Sequence, residues 1–265
     1  MEQDVSLDET GGTRSVRRAA DIIRTLGGSA DGYSLTELAR EIELSKATTY
    51  RILHTLVNEG LIDYRDESAT YVIGAELVRI AMESRTAAKL ANIQNIEKLS
   101  APYMQKLSDA TGETVALVMS FGDVRTNVAV SLGSHELIVS PKVGAQLPLH
   151  TGGPGKVILS RFSPADLDKY IQRSKLEALT PRTVSSPDEL KKELRQIRKL
   201  GYATSSGEAV EGQDSIAVPI LQNEKVVAVV NLIVPTVRFS ERRQKELLPQ
   251  VLNAAAEISR LMAKA

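Results

Sequence analysis

Residues 34–74 leave this chain little freedom in how it can fold. At their centre stands Ser45-Lys46-Ala47-Thr48-Thr49-Tyr50-Arg51-Ile52-Leu53-His54-Thr55-Leu56. Ser45 suits a helix N-cap, because its hydroxyl can accept from a backbone N–H that the first turn leaves free. Ile52, Leu53, Leu56 and Val57 fall at helical spacing behind it and can anchor the helix while the first turn faces outward. The outward set is Lys46, Ala47, Thr48, Thr49, Tyr50 and Arg51. Cations, short hydroxyls and a small apolar group suit phosphate oxygens and base edges.

The flanks agree. Residues 15–26 read as a helix with Val16, Ala19, Ala20, Ile22, Ile23 and Leu26 on one apolar face, stopped by Gly27-Gly28. Residues 34–42 form a second, short helix whose Ser34 and Glu37 have capping-box spacing. After a turn through Glu43-Leu44 comes the Ser45 helix, which Gly60 ends. Residues 61–64 and 70–73 then alternate around the polar tip 65–69. Helix, helix-turn-helix and hairpin is the order of a winged helix-turn-helix. Its charge is close to neutral, with eight basic and nine acidic residues between 14 and 74. The whole chain balances 33 against 33, so any polyanion contact must rest on local placement. Arg17 and Arg18 at the start of the first helix, Lys46 and Arg51 beside the reading turn, and Arg65 on the wing are so placed.

In this order and spacing, residues 34–39, residues 44–56 and Glu59-Gly60-Leu61 followed by residues 71–74 resemble the isocitrate-lyase-regulator (IclR) family of bacterial transcription factors. The resemblance extends over residues 15 to about 262. It implies a DNA-binding regulator, more often a repressor of a catabolic operon, with Ser45, Lys46, Ala47, Thr48, Thr49, Tyr50 and Arg51 at double-stranded DNA. A homodimer or homotetramer would present paired helices to a palindromic operator.

At 265 residues the chain is long enough for two domains. The expected division is an unstructured tail 1–13, a winged helix-turn-helix 14–75, a linker or dimerisation helix 76–101 and a second domain 102–265. In the linker, Leu77, Ala81, Ser84, Ala88 and Ala91 recur at helical steps, and small residues permit close helix approach. Residues 103–110 read as a separate helix. Beyond them, residues 115–119, 126–132 and 137–140 read as strands, as do residues 215–221 and 226–234 on either side of Asn223-Glu224. Ser163-Pro164 and Ser186-Pro187 start helices, the latter with capping-box spacing to Glu189, and Gly201 stops one. The last helix, 240–264, carries Pro249, which costs about 3 kcal/mol inside a helix and predicts a kink or a split into two. The fold class is therefore α+β, an antiparallel sheet flanked by helices, and the resemblance implies that this second domain is GAF-like and binds an effector.

Residues 147–159 form a glycine-rich loop opening onto a helix. A Walker A reading of Gly155-Lys156 fails, because His150 stands where the first glycine is needed and Val157 where Ser or Thr is needed. A turn required only for packing and a loop that lets backbone approach a ligand both remain open. The resemblance implies a pocket made of Leu147, Gly153, Pro154, Ser205, Ser215, Asn231 and Ile233. The family commonly has aspartate at the position of Ser205, cysteine at that of Ser215, serines at those of Asn231 and Ile233, and a small residue at that of Pro154. The pocket thus keeps neutral hydrogen-bonding groups and loses an acid. This suits a small carboxylate or carbonyl metabolite and offers no Cys/Asp metal site. Glu208 and Glu211 near the Ser205 turn are expected to be solvated.

No metal and no cofactor is expected. There is no cysteine, and His54, His135 and His150 lack partners at ligand spacing, His54 being a packing residue or phosphate neighbour. Met1-Glu2-Gln3-Asp4 is not a signal peptide, and no apolar run approaches the roughly 20 residues that span a bilayer, so the expected location is the cytoplasm, away from membrane. Nucleophile-elbow, zincin and cysteine-nucleophile motifs are missing, so an enzyme is the weaker alternative. A ligand-binding adaptor that uses its winged helix for protein contact is the other.

Overall fold

The computed structural model describes residues 11–29, 31–83 and 86–263, without the side chains of 11–13, 83 and 86–91. Two compact units result, Met1–Ala91 and Asn92–Ala265.

In the first unit α1 (Gly11–Gly27), α2 (Leu35–Glu41) and α3 (Lys46–Asn58) are followed by the hairpin β1 (Ile62–Arg65) and β2 (Thr70–Ile73) and by α4 (Ala75–Glu83). Residues 11–13, expected in the tail, are helical; the rest of that tail lies outside the described residues. Ile22, Leu26, Leu38, Leu53, Leu56 and Ile62 form the core, with Ala19 and Ile23 packed against it. Val16, assigned to the same apolar face, is 71% exposed, because the core begins only at Ala19. The caps are as expected. Ser34 Oγ accepts from Glu37 N while Glu37 Oε2 accepts from Ser34 N at 2.9 Å, and Ser45 Oγ accepts from Thr48 N at 3.2 Å. The hairpin pairs Ile62 with Ile73 through Arg65 with Thr70.

The linker differs from expectation. After α4 comes α5 (Thr86–Thr111), which runs through Pro102 without a break at Ala101. Ile96, Met104 and Leu107 on either side of Pro102 are buried in one core, and that burial offsets the lost intrahelical bond. Ser84, and the side chains of Ala88 and Ala91, lie outside the described residues.

The second unit carries a six-stranded antiparallel sheet of order β5-β4-β3-β8-β7-β6, made of β3 (Thr114–Phe121), β4 (Val124–Ser131), β5 (Gln146–Pro148), β6 (Ala203–Ser206), β7 (Gln213–Gln222) and β8 (Lys225–Pro235). Alternate side chains serve two cores. Leu117, Ile216, Val218, Leu232 and Val234 pack with α5 and with α9 (Glu241–Met262). Ala116, Val118, Ala217, Val229 and Ile233 pack on the other face with α6 (Gly152–Leu159), α7 (Pro164–Ser174) and α8 (Pro187–Leu200). The α+β class follows directly.

Residues 137–140 are loop, not strand. Their backbone is held by side chains: Thr114 Oγ1 donates to Val139 O at 2.7 Å and Arg238 Nη2 to Leu137 O at 2.8 Å. The edge position beside β4 is taken by β5. Helix α9 is one helix through Pro249, not two, with Leu247 and Val251 buried beside the proline. Among the described residues no helix is long and apolar enough to cross a membrane.

Candidate functional site

Helix α3 presents Ser45, Lys46, Ala47, Tyr50 and Arg51 to solvent, with Thr48 half-buried. Thr49 is a correction. It is fully buried and its Oγ1 donates to Ser45 O at 3.1 Å, so it cannot meet a base edge. At 3.6 residues per turn it shares the buried face with Leu53 and Leu56. Thr48 Oγ1 lies 2.9 Å from Ser45 Oγ and stays within reach of a ligand at the helix start. The amides of the first turn and the helix dipole favour an anion there.

The near-neutral count conceals how the charges are used. Arg24 pairs with Asp21 at 2.8 Å. Arg14, Arg17, Arg18, Lys46, Arg51 and Arg65 have no ion-pair partner among the described residues, while Arg40 acts electrostatically on Glu37. Arg17, Lys46, Arg51 and Arg65 are exposed and Arg18 is half-buried. On the wing Tyr64 is 44% exposed with its ring 4.8 Å from that of Tyr71, a surface aromatic that the strand pattern alone did not single out. His54 is a local helix neighbour, with Nδ1 3.2 Å from Asn58 Nδ2 and its ring 6.1 Å from that of Tyr50.

In the second unit a cavity of about 240 Å³ opens between the sheet, the first turn of α6 and the segment 141–147. Leu147, Pro154, Ser205, Ser215, Asn231 and Ile233 all line it; Gly153 does not. Register explains the grouping. Ser205, Ser215 and Ile233 form one row across β6, β7 and β8, and Ala203, Ala217 and Asn231 the next row on the same face. Ser205 Oγ and Ser215 Oγ are 3.1 Å apart.

The glycine-rich stretch is helical from Gly152 onward rather than a loop, and its glycines have separate reasons. Gly152 sits at φ +73°, which favours glycine. A Cβ on Gly153 would meet Ala217 Cβ at 3.2 Å, and one on Gly155 would meet Leu149 O at 2.1 Å. Gly155 therefore answers to packing, while Gly152 borders the cavity.

One polar group departs from expectation, and two others have buried surroundings on which the sequence was silent. Glu208 is buried, not solvated, and pairs with the buried Lys156, whose Nζ also donates to Glu193 Oε2 at 2.6 Å. Burial pushes the Glu208 carboxyl above its ordinary value despite Lys156. His150 is fully buried, with Nδ1 2.8 Å from Tyr170 OH and Nε2 2.9 Å from Glu177 O, and burial lowers its pKa. Arg125 was missed altogether. It is 6% exposed on β4, lines the cavity, and donates through Nε to Thr151 O at 3.2 Å. Burial lowers its guanidinium pKa to about 10, with Glu208 acting in the opposite sense. In sequence Arg125-Thr126-Asn127 is a run of three polar residues without alternation, and all three are buried in β4.

The IclR helix-turn-helix domain description matches residues 15–66, and that of the bacterial transcriptional regulator IclR C-terminal domain matches residues 88–260. The chain belongs to the IclR family. Among relatives of this IclR-family protein, the HTH-type transcriptional regulator BhcR of Paracoccus denitrificans is 29% identical, covering 95% of this chain and 88% of its own. The transcriptional repressor IclR of Escherichia coli is 28% identical over 94% and 90%. A solved IclR homologue from Microbacterium hydrocarbonoxydans, in complex with 4-hydroxybenzoate, has the same fold at a TM-score of 0.71 and 19% identity, covering 95% of this chain and all of the other. This member of the IclR family is thus a transcription regulator with a helix-turn-helix DNA-binding domain and a C-terminal effector domain, and its family is one of regulators rather than enzymes.

Proposed function

We propose that the chain represses a catabolic operon from the cytoplasm. Residues 14–75 read a palindromic operator, residues 76–101 link and dimerise, and residues 102–265 form a GAF-like domain that holds a small carboxylate or carbonyl effector. The observation that carries the DNA reading is the capped first turn of α3, with Lys46 and Arg51 exposed and free of ion pairs. Repression is supported by two relatives at 28% identity, described as the transcriptional repressor IclR and the acetate operon repressor. The effector site is supported by the cavity at Ser205, Ser215 and Asn231, and by the hydroxybenzoate complex of a protein with the same fold. A homodimer or homotetramer follows from the need to present two α3 helices to one palindrome.

In a fixed-salt titration Arg51→Ala is expected to weaken operator binding by about 1–3 kcal/mol, the usual worth of a good base or charged contact. Unchanged affinity would remove Arg51 from the interface. Thr49→Ala, by contrast, should act through stability alone.

Effector control requires different effector affinities in the DNA-competent and incompetent states. A saturating effector should therefore shift operator affinity, and Ser215→Trp, which fills the cavity, should abolish the shift while leaving effector-free DNA binding intact. A shift that survives Ser215→Trp places effector binding elsewhere.

A further inference from the structure

The cavity offers hydrogen-bond donors and withholds acceptors. Arg125 on β4 donates Nε–H to Thr151 O at 3.2 Å, while its two Nη groups make no hydrogen bond among the described residues and are not cut off from the cavity that the residue lines. Nη2 lies 3.4 Å, and Ser205 Oγ 3.7 Å, from the point where a Cβ on Gly152 would stand, so the guanidinium reaches the first turn of α6. Asn231 has the same bias. Its Oδ1 is enclosed, and its amide nitrogen is an unbonded donor that is not. Ser205 and Ser215 are already joined to each other by one hydrogen bond.

The charges act in the same sense. Lys142, exposed in the segment that forms one wall, has no ion-pair partner among the described residues. Asp214 is the one acid among the described lining residues, and strand alternation turns it away. It pairs with Val234 of β8, whose side chain belongs to the core under α5 and α9, and its Oδ1 accepts from Thr236 Oγ1 at 2.9 Å. Glu208 acts on Arg125 electrostatically, but it is paired with Lys156 and does not line the cavity. A desolvated planar cation with unused N–H groups suits a carboxylate. An uncharged amide in the same place would accept a hydrogen bond and leave the charge unanswered.

We propose that Arg125 anchors the effector by its carboxylate, so that the cavity takes an organic anion and rejects the same molecule as its uncharged amide. The anchor comes from β4, outside the residues that the family resemblance brings to the pocket. This rests on the cavity being the effector site.

The test is isothermal titration of the full chain, at fixed salt, with three matched pairs: 4-hydroxybenzoate and 4-hydroxybenzamide, lactate and lactamide, pyruvate and pyruvamide. In at least one pair the carboxylate should bind about tenfold or more tightly than the amide, the worth of a hydrogen bond to a charged group. In Arg125→Gln the two members of that pair should bind within about threefold of each other, mainly because the carboxylate is weakened. Arg125→Lys keeps the charge and loses the planar fork, so its preference should be intermediate; it decides the matter if Arg125→Gln does not fold. A damaged cavity would weaken both members alike, so the ratio separates an anchor from a merely structural residue. Amides that bind as tightly as their carboxylates, a preference that Arg125→Gln leaves unchanged, or no carboxylate bound in any pair overturns the inference. Carboxylate binding lost in Ser215→Trp, with the preference unchanged in Arg125→Gln, overturns this inference alone. Binding that survives Ser215→Trp as well overturns the effector-site reading with it.

Discussion

Lys156→Met should destabilise the protein by about 3–5 kcal/mol at neutral pH, the cost of stranding one member of a buried ion pair. Lys156 is 1% exposed and stands between Glu193 and Glu208. With the ammonium gone, Glu208 keeps a buried charge whose pKa is already raised by burial. An acid whose folded-state pKa lies above its ordinary value opposes folding above that ordinary value, and the opposition fades as pH falls and the group is protonated in both states. The deficit of Lys156→Met relative to wild type should therefore shrink as pH is lowered through the raised Glu208 pKa. Adding Glu208→Gln to Lys156→Met should recover part of it at neutral pH. Urea unfolding at several pH values measures both, and a pH-independent deficit with no rescue would mean that Lys156 acts by packing alone.

Gly155→Ala is the other substitution with a large expected effect, more than about 3 kcal/mol, because the new Cβ would meet backbone that cannot swing aside. The neighbour is Leu149 O at 2.1 Å, and Leu149 itself is fully buried. Gly153→Ala is the internal control. Its nearest neighbour is the Ala217 side chain at 3.2 Å, so a loss below about 1.5 kcal/mol is expected. Equal losses for the two would show that the Leu149 backbone yields, and would remove close approach as the reason for Gly155.

The reading helix was legible because every signal for it is local. A serine cap, a 3.6-residue apolar period and a terminating glycine all lie within one stretch, and α3 begins and ends within a residue or two of them. Thr49 shows the limit of local reading. A polar residue in the first turn looks solvent-facing until the packing partner is known, and the core of α1, α2 and β1 fixes which side of the turn is hidden. The prolines make the same point in reverse. Pro102 and Pro249 forbid a bond within their own helices, yet α5 and α9 continue, because both line a core whose burial outweighs one missing hydrogen bond.

Composition and pattern were sufficient for the helix-turn-helix order, the caps, the α+β class and the exposed cations around α3, because each depends on neighbours a few residues away. The cavity was different. Its walls come from β4, the 141–147 segment, α6, β6, β7 and β8, spread over more than a hundred residues of chain, and only resemblance to a family brought six of its residues together beforehand. Arg125 became visible only when strand pairing put it, buried, on the same face as Asn231 and Ser215. Burial and partner choice are properties of distant contacts, and no local pattern encodes them.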